Sequence, residues 1–261
     1  MRRLLLLPLL APLPAAAQSV TAHYEVYAGG MTILQLEARF DFSPTAYRME
    51  TRLRTRGMAA TFVPGEQVTQ VAGDWSGATP TPREYVTQGT WRGRFRRIAM
   101  EWRGGEPRVT DLTPPETEER EPVPPAQRIG TLDALSALAL VARSVEQTGG
   151  CDTATPVFDG RRRTEYRART ERREIIPAWR GAWTGEALRC AFEGRVTAGF
   201  RLDQDRAQAA QPTTGTAWVA SPFAGAPAIP VRIEIPNRWT GQATAVLLRA
   251  ERSGQVADQR R

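Results

Sequence analysis

Leu34-Gln-Leu-Glu-Ala-Arg-Phe-Asp-Phe42, the turn Ser43-Pro44-Thr45 and Tyr47-Arg-Met-Glu-Thr-Arg-Leu-Arg-Thr55 decide the fold. In the first run Leu34, Leu36, Ala38, Phe40 and Phe42 share one face, and Gln35, Glu37, Arg39 and Asp41 share the other. After the turn, Tyr47, Met49, Thr51, Leu53 and Thr55 resume the first face, while Arg48, Glu50, Arg52, Arg54 and Arg56 are all charged. Side chains alternate with period two along a strand and with period 3.6 along a helix. The stretch is therefore a hairpin of an antiparallel sheet with one wet and one dry face.

The same rhythm extends outward. Upstream, Tyr24 to Ala28 runs into Gly29-Gly30, a tight-turn pair. Downstream, strands are predicted near 66–75, 83–90, 91–103 and 107–113, with a hairpin turn at Gly104-Gly105. The alternation slips at Arg96-Arg97, which predicts a bulge that bends the sheet. Pro114 to Pro125 encloses the charge run Glu116-Thr-Glu-Glu-Arg-Glu121 and reads as an exposed, poorly ordered loop. Leu132 to Gln147 is the one predicted helix, with Asp133 favouring its positive end and Gly149-Gly150 stopping it. Its stripe Leu132, Leu135, Leu138, Ala142 and Val145 is joined by Ala137, Leu140 and Val141, so much of it is expected to be buried, lying along a curved sheet. Strands resume near 154–159, 163–175, 186–200, 216–220, 229–235 and 243–251, and Ser253 to Arg261 reads as a disordered tail. The expected fold is mainly β: a single domain over residues 18–252, a curved antiparallel sheet or open, clam-like β-barrel with one buried mid-chain helix.

Met1-Arg2-Arg3, the apolar run Leu4 to Leu13 and the small residues Ala15-Ala16-Ala17 form a Sec-type signal peptide over residues 1–17, with cleavage after Ala17. The run is too short to span a bilayer of about 30 Å, and no later stretch qualifies, so no transmembrane segment is expected after cleavage. The expected location is periplasmic. In that oxidising compartment Cys151 and Cys190 are expected to form a disulfide. The formal charge is +7, and all 35 basic residues are Arg. Export argues against nucleic acid and for a lipid, an anionic envelope component or an envelope protein as partner.

Tyr24-Glu-Val-Tyr-Ala-Gly-Gly30, Asp133-Ala-Leu-Ser-Ala-Leu138 and Val157-Phe-Asp-Gly-Arg161, in this order and spacing, resemble the exported bacterial proteins grouped as domain of unknown function 3108. The resemblance implies the fold and export over most of the mature chain; it carries no reaction.

The residues constrain chemistry further. His23 is the single histidine and no Gly-x-Ser-x-Gly elbow accompanies it, so it reads as a surface or strand-edge residue rather than a triad member. One histidine and two bonded cysteines do not make a zinc site, and no phosphate loop or dinucleotide fingerprint is present. Neither a metal nor another cofactor is expected. Glu25, Glu37, Asp133 and Asp159 are the carboxylates beside patterned elements; Asp133 is better explained by the helix start and Asp159-Gly160 by a turn. Arg48, Arg52, Arg54 and Arg56 share a face, and Arg161 to Arg163 follow a turn near Arg167, Arg169, Arg172 and Arg173. Interspersed Glu50, Glu165, Glu171 and Glu174 make these a solvated outer face; the sharper reading is docking onto anionic headgroups.

The inward stripe Leu34, Leu36, Phe40, Tyr47, Met49 and Leu53 is core first, and a ligand wall where the helix leaves room. Trp179 and Trp183, in a loop-like segment, rim a pocket or fold back as core plugs. The sequence is thus read as a non-enzymatic periplasmic protein that binds a lipid or other apolar ligand in a curved-sheet groove, through those eight residues. A structural or protein-interaction module of the envelope is the alternative, and a carboxylate-dependent hydrolase the third reading.

Overall fold

The structure is a computed structural model that describes residues 18–237 and 240–253. The expected signal peptide over residues 1–17 and the expected tail beyond Ser253 lie outside the described residues. In the first half of the chain, hairpins connect β1 (Gln18–Ala28), β2 (Met31–Phe42), β3 (Ala46–Thr55), β4 (Gly65–Ser76), β5 (Thr79–Trp91), β6 (Arg94–Arg103) and β7 (Glu106–Thr113). After the helix come β8 (Thr153–Phe158), β9 (Arg163–Ile176), β10 (Gly185–Ala198), β11 (Thr213–Ala220), β12 (Ile229–Asn237) and β13 (Gly241–Arg252). Three α-helices, α1 (Gly57–Phe62), α2 (Ala134–Thr148) and α3 (Arg206–Ala209), and two single-turn 3₁₀ helices, Glu116–Glu118 and Pro125–Gln127, complete the described chain.

The strand order is β7-β6-β5-β4-β3-β2-β1-β13-β12-β11-β10-β9-β8, antiparallel throughout. The first and last strands pair in the middle, so the two halves are stitched at β1–β13 and the sheet curls into a nearly closed barrel. Its remaining seam runs between β7 and β8. The turn between β8 and β9 presses into the inner wall there: a Cβ on Gly160, at φ +92°, would lie 2.4 Å from Ile98 Cγ2, so only glycine fits.

The segment between β7 and α2 fastens the seam. Gly130 N–H donates to the Gly105 carbonyl at 3.1 Å. Leu132 exchanges backbone hydrogen bonds with Pro156 and Phe158, and Glu121 N–H donates to Phe200 O at 2.9 Å. Val123 is fully buried. The loop expected over 114–125 does expose Pro115, Thr117, Glu118, Pro122 and Pro124, but Glu119, Arg120 and Glu121 tie its middle to the wall. Glu119 meets Arg96, and the Arg120 guanidinium donates to Gly199 O at 2.9 Å. A sequence pattern rich in proline and charge does not reveal partners that lie far away in the chain.

The helix starts two residues later than expected, because Leu132 belongs to the bridge beside β8, and ends one residue later, at Thr148. Asp133 is its N-cap, accepting from Leu135 and Ser136 N–H at 2.9 Å each, and Gly149 ends it at φ +74°. The helix packs on β4, β5 and β8. Ser136, Ala139 and Ala142 form its buried edge. Cys151 and Cys190 are disulfide-bonded at a Cα–Cα distance of 6.3 Å, tying the chain just after the helix to β10.

The bulge expected at Arg96-Arg97 is also corrected. Both residues pair regularly with β5, and the irregularity falls at Ala99/Met100 against β7. The alternation slips because Arg96 is a charged residue on the inner face.

Candidate functional site

Cross-strand partners share a face, so the registers lay out the inner wall of the first half row by row. Val20, Phe40, Met49, Val71, Tyr85 and Met100 stand side by side from β1 to β6. All are buried in the main core with Ala139, Ala142 and Phe158. Two residues along each strand lies Ala22, Ala38, Thr51, Thr69, Thr87 and Ile98. The Thr69 and Thr87 hydroxyls meet at 2.9 Å. A further step gives Tyr24, Leu36, Leu53, Gln67, Gly89 and Arg96, and here the covering ends. Leu36 and Leu53 are half-buried and Gln67 is exposed.

The next row passes Leu34 and Val26 and continues round the second half through Ala245, Ile233 and Ala217. These are half-buried, as is Phe192 opposite Gly215. Helix α2 packs on β4, β5 and β8, and this apolar wall of Leu, Val, Ile and small residues is left half-buried.

Two guanidinium groups stand at that uncovered part. Arg96 donates to Glu119 at 2.9 Å, and the Arg161 guanidinium lies 3.8 Å from the same carboxylate while donating to Pro114 O at 2.7 Å. The Arg96 hydrogen bond holds the Glu119 carboxyl below the usual carboxylate range. A cleft of about 170 Å³ is lined by Gln67, Thr87, Gly89, Trp91, Ile98, Arg96 and Arg161, among others. Larger surface clefts, such as one of about 340 Å³ bordered by His23, Glu25, Glu37, Arg52, Arg54 and Arg56, run between charged side chains of the outer face.

The eight residues of the sequence-based ligand set separate into three environments. Phe40, Tyr47 and Met49 are buried in the main core, where the Tyr47 hydroxyl meets Ser136 of α2. Leu34 and Leu53 are half-buried on the inner wall, and Leu36, also half-buried, packs against the main core. Trp183 packs on the main core, its indole N–H donating to Pro222 O at 3.2 Å. Trp179 instead lies edge-on to Tyr27, with ring centroids 4.9 Å apart and the Arg180 and Arg232 guanidinium groups over its ring. Arg96, Glu119 and Arg161 were missed as a group; the broken alternation at Arg96 was their trace in the sequence.

The remaining candidates are dispersed. His23 is not at a sheet edge: β1 lies between β2 and β13, and the ring faces Glu37 at 3.8 Å and Glu251 at 3.7 Å. Glu25 accepts from the Tyr27 hydroxyl, which lowers its pKa, on the outer face. Asp159 accepts from Arg161 and Arg162 N–H in its turn. The outer arginines are extensively paired, Arg52 with Glu50 at 2.7 Å, Arg163 with Glu165 at 2.6 Å and Arg172 with Glu174 at 2.7 Å.

Asp133 is fully buried, and desolvation pushes its carboxyl up to about 6. Ser136 Oγ donates to its second oxygen and meets the Tyr47 hydroxyl at 2.7 Å. Ser136 is itself fully buried. This chain of polar groups seats the helix on β3 and is closed to solvent.

Comparison with known proteins bears on the fold. A family model described as "Protein of unknown function (DUF3108)" matches residues 23–247. No curated protein matches the chain. Among solved structures, a β-barrel-like protein of domain of unknown function DUF1849 from Brucella abortus is similar at a TM-score of 0.54 and 10% identity, over 93% of this chain and 100% of that one.

Proposed function

We propose a function for a chain that belongs to the DUF3108 family of proteins of unknown function: it is a non-enzymatic periplasmic protein that shelters an acyl chain in the uncovered part of its hollow. One observation carries the reading. The inner face is continuous around the barrel, yet burial falls off along the strands, from the sealed row Val20 to Met100 to Leu34, Leu36, Leu53, Val26 and Ile233, which are half-buried. Ligand sites are concave and mostly apolar, with few polar groups placed to orient the ligand. Arg96 and Arg161 supply such groups, and a carboxylate or phosphate head would share them with Glu119 through charge-assisted hydrogen bonds.

Native mass spectrometry on gently purified protein, followed by organic extraction, tests this. An acyl species at near-stoichiometric amount is expected. Leu53→Trp, which fills the hollow, is expected to lower uptake of a fluorescent fatty acid about tenfold, a loss of 1.4 kcal/mol, while the chain stays folded. A clean apo mass together with no uptake by the unaltered chain would overturn the reading.

A further inference from the structure

The outer rim beside the hollow carries apolar side chains that serve no core. Phe62 is 73% exposed, Met58 63%, Phe95 54%, Met31 53% and Trp91 37%. They come from three successive connections at one end of the first half, and backbone contacts join these into one strip. Arg56 N–H donates to Ile33 O at 2.9 Å, fixing α1 beside the start of β2. Arg92 N–H donates to Pro64 O at 2.9 Å, and the Trp91 ring lies over Gly65, where a Cβ would stand 2.4 Å from Cε3. Helix α1 has no buried residue. Its Met58 and Phe62 therefore project from the fold rather than hold it together.

The charges on this strip are of one prevailing sign. Arg54, Arg56, Arg92 and Arg94 are exposed along it. Arg54 pairs with Glu66 at 3.2 Å and Arg56 donates to Gln35 at 2.7 Å. Arg92 and Arg94 make no ion pair among the described residues. Large exposed apolar patches mark interaction sites, and apolar side chains set among guanidinium groups match the depth profile of an anionic bilayer surface: headgroup charge outside, acyl boundary beneath.

We propose that this rim docks on an anionic phospholipid bilayer, with Met58, Phe62 and Phe95 entering the interface and Arg92 and Arg94 meeting headgroups. The inference stands on outer residues and does not require the hollow to be occupied.

Co-sedimentation of the full chain with vesicles tests it, using phosphatidylcholine alone and phosphatidylcholine mixed with phosphatidylglycerol. Residues 1–17 are common to every protein compared, so differences read the rim. The unaltered chain is expected to sediment with the anionic vesicles and far less with the neutral ones. Met58→Asp/Phe62→Asp, on a helix with nothing buried, is expected to weaken partitioning at least about tenfold, and Arg92→Glu/Arg94→Glu by about tenfold. Ile175→Asp, a control at a 77% exposed residue away from the rim, is expected to change nothing. Equal sedimentation of the rim variants and the unaltered chain overturns the proposal, as does a chain that stays in the supernatant with anionic vesicles. Recovery of one recurrent protein crosslinked at Phe62 in cells, without vesicle binding, assigns the rim to a protein partner and also overturns it.

Discussion

From Val20 through Phe40, Met49, Val71 and Tyr85 to Met100 the inner wall is sealed, with no residue more than 6% exposed. About 13 Å along the same strands, Tyr24, Leu36, Leu53, Gln67, Gly89 and Arg96 stand in an equivalent row that is only partly covered. Both rows lie on the dry face of one alternating pattern. Helix α2 packs on β4, β5 and β8, and its Ala139 and Ala142 share the buried cluster of the first row. Apolar alternation establishes which way a side chain points; what fills the space it points into is decided by another part of the chain.

Truncation measures that difference most directly. Phe40→Ala is expected to cost about 3–5 kcal/mol, because the ring is buried in the main core and its removal leaves a cavity. Leu36→Ala, at a half-buried position of the second row, is expected to cost only about 1–2 kcal/mol, since part of its surface is already wet. Urea denaturation of both variants reads the contrast. Equal losses would mean that the second row is packed as tightly as the first.

The buried helix cap gives an effect of about 3 kcal/mol with a distinctive pH signature. The Asp133 carboxyl is pushed from an ordinary 3.8 to about 6 by desolvation. The unfolded carboxyl ionises first, so this residue lowers stability as pH rises from about 4 through about 6, and its effect is level outside that window. Asp133→Asn keeps a side-chain oxygen for the Leu135 and Ser136 N–H groups and abolishes the step. Stability curves for the two proteins should therefore converge below pH 4 and separate above pH 6, with the Asn variant higher. An unchanged slope in the Asn variant would show that the cap is solvated and that the sealed part of the hollow admits water.

The sequence made the sealed row easier to read than the open one. Leu34 to Thr55 announces strands, faces and core because a strand's side-chain direction is a local property. The helix bounds were legible to within two residues, since Asp133 and Gly149 act on their own neighbours. Less was legible where a charge has a distant partner. Arg96 was read as a bulge because its partner Glu119 sits 23 residues away, in a segment that itself read as disordered. Trp179 and Trp183 looked equivalent in sequence, four residues apart, yet one lies on the outer face against Tyr27 and the other in the core, because the arm between β9 and β10 crosses strands that are remote in the chain. The five exposed apolar residues of the rim escaped the reading altogether; each lies in or beside a turn, where no periodicity exists to mark it as out of place.

The smallest expected effect locates the boundary between the two rows. Thr69 and Thr87 are 6% and 7% exposed, and their hydroxyls meet at 2.9 Å midway between sealed and open wall. Gln67 also donates to Thr69 at 3.2 Å. Thr87→Val removes one hydroxyl and leaves its partner with fewer bonds in a nearly dry site, at a cost of about 1–2 kcal/mol. Thr69→Val/Thr87→Val removes both and is expected to recover part of that cost: Gln67 is exposed and can turn to solvent, while the buried Tyr85 hydroxyl, which also bonds Thr87, loses that bond in the single and the double variant alike. A double-mutant cycle in urea therefore yields a coupling of about 1 kcal/mol if the band is dry. If Thr87→Val is neutral and the coupling vanishes, water already reaches the remaining hydroxyl. The open part of the hollow would then extend one row deeper, to Ala38 and Thr51, and the space available to an acyl chain would begin directly beneath Phe40 and Met49.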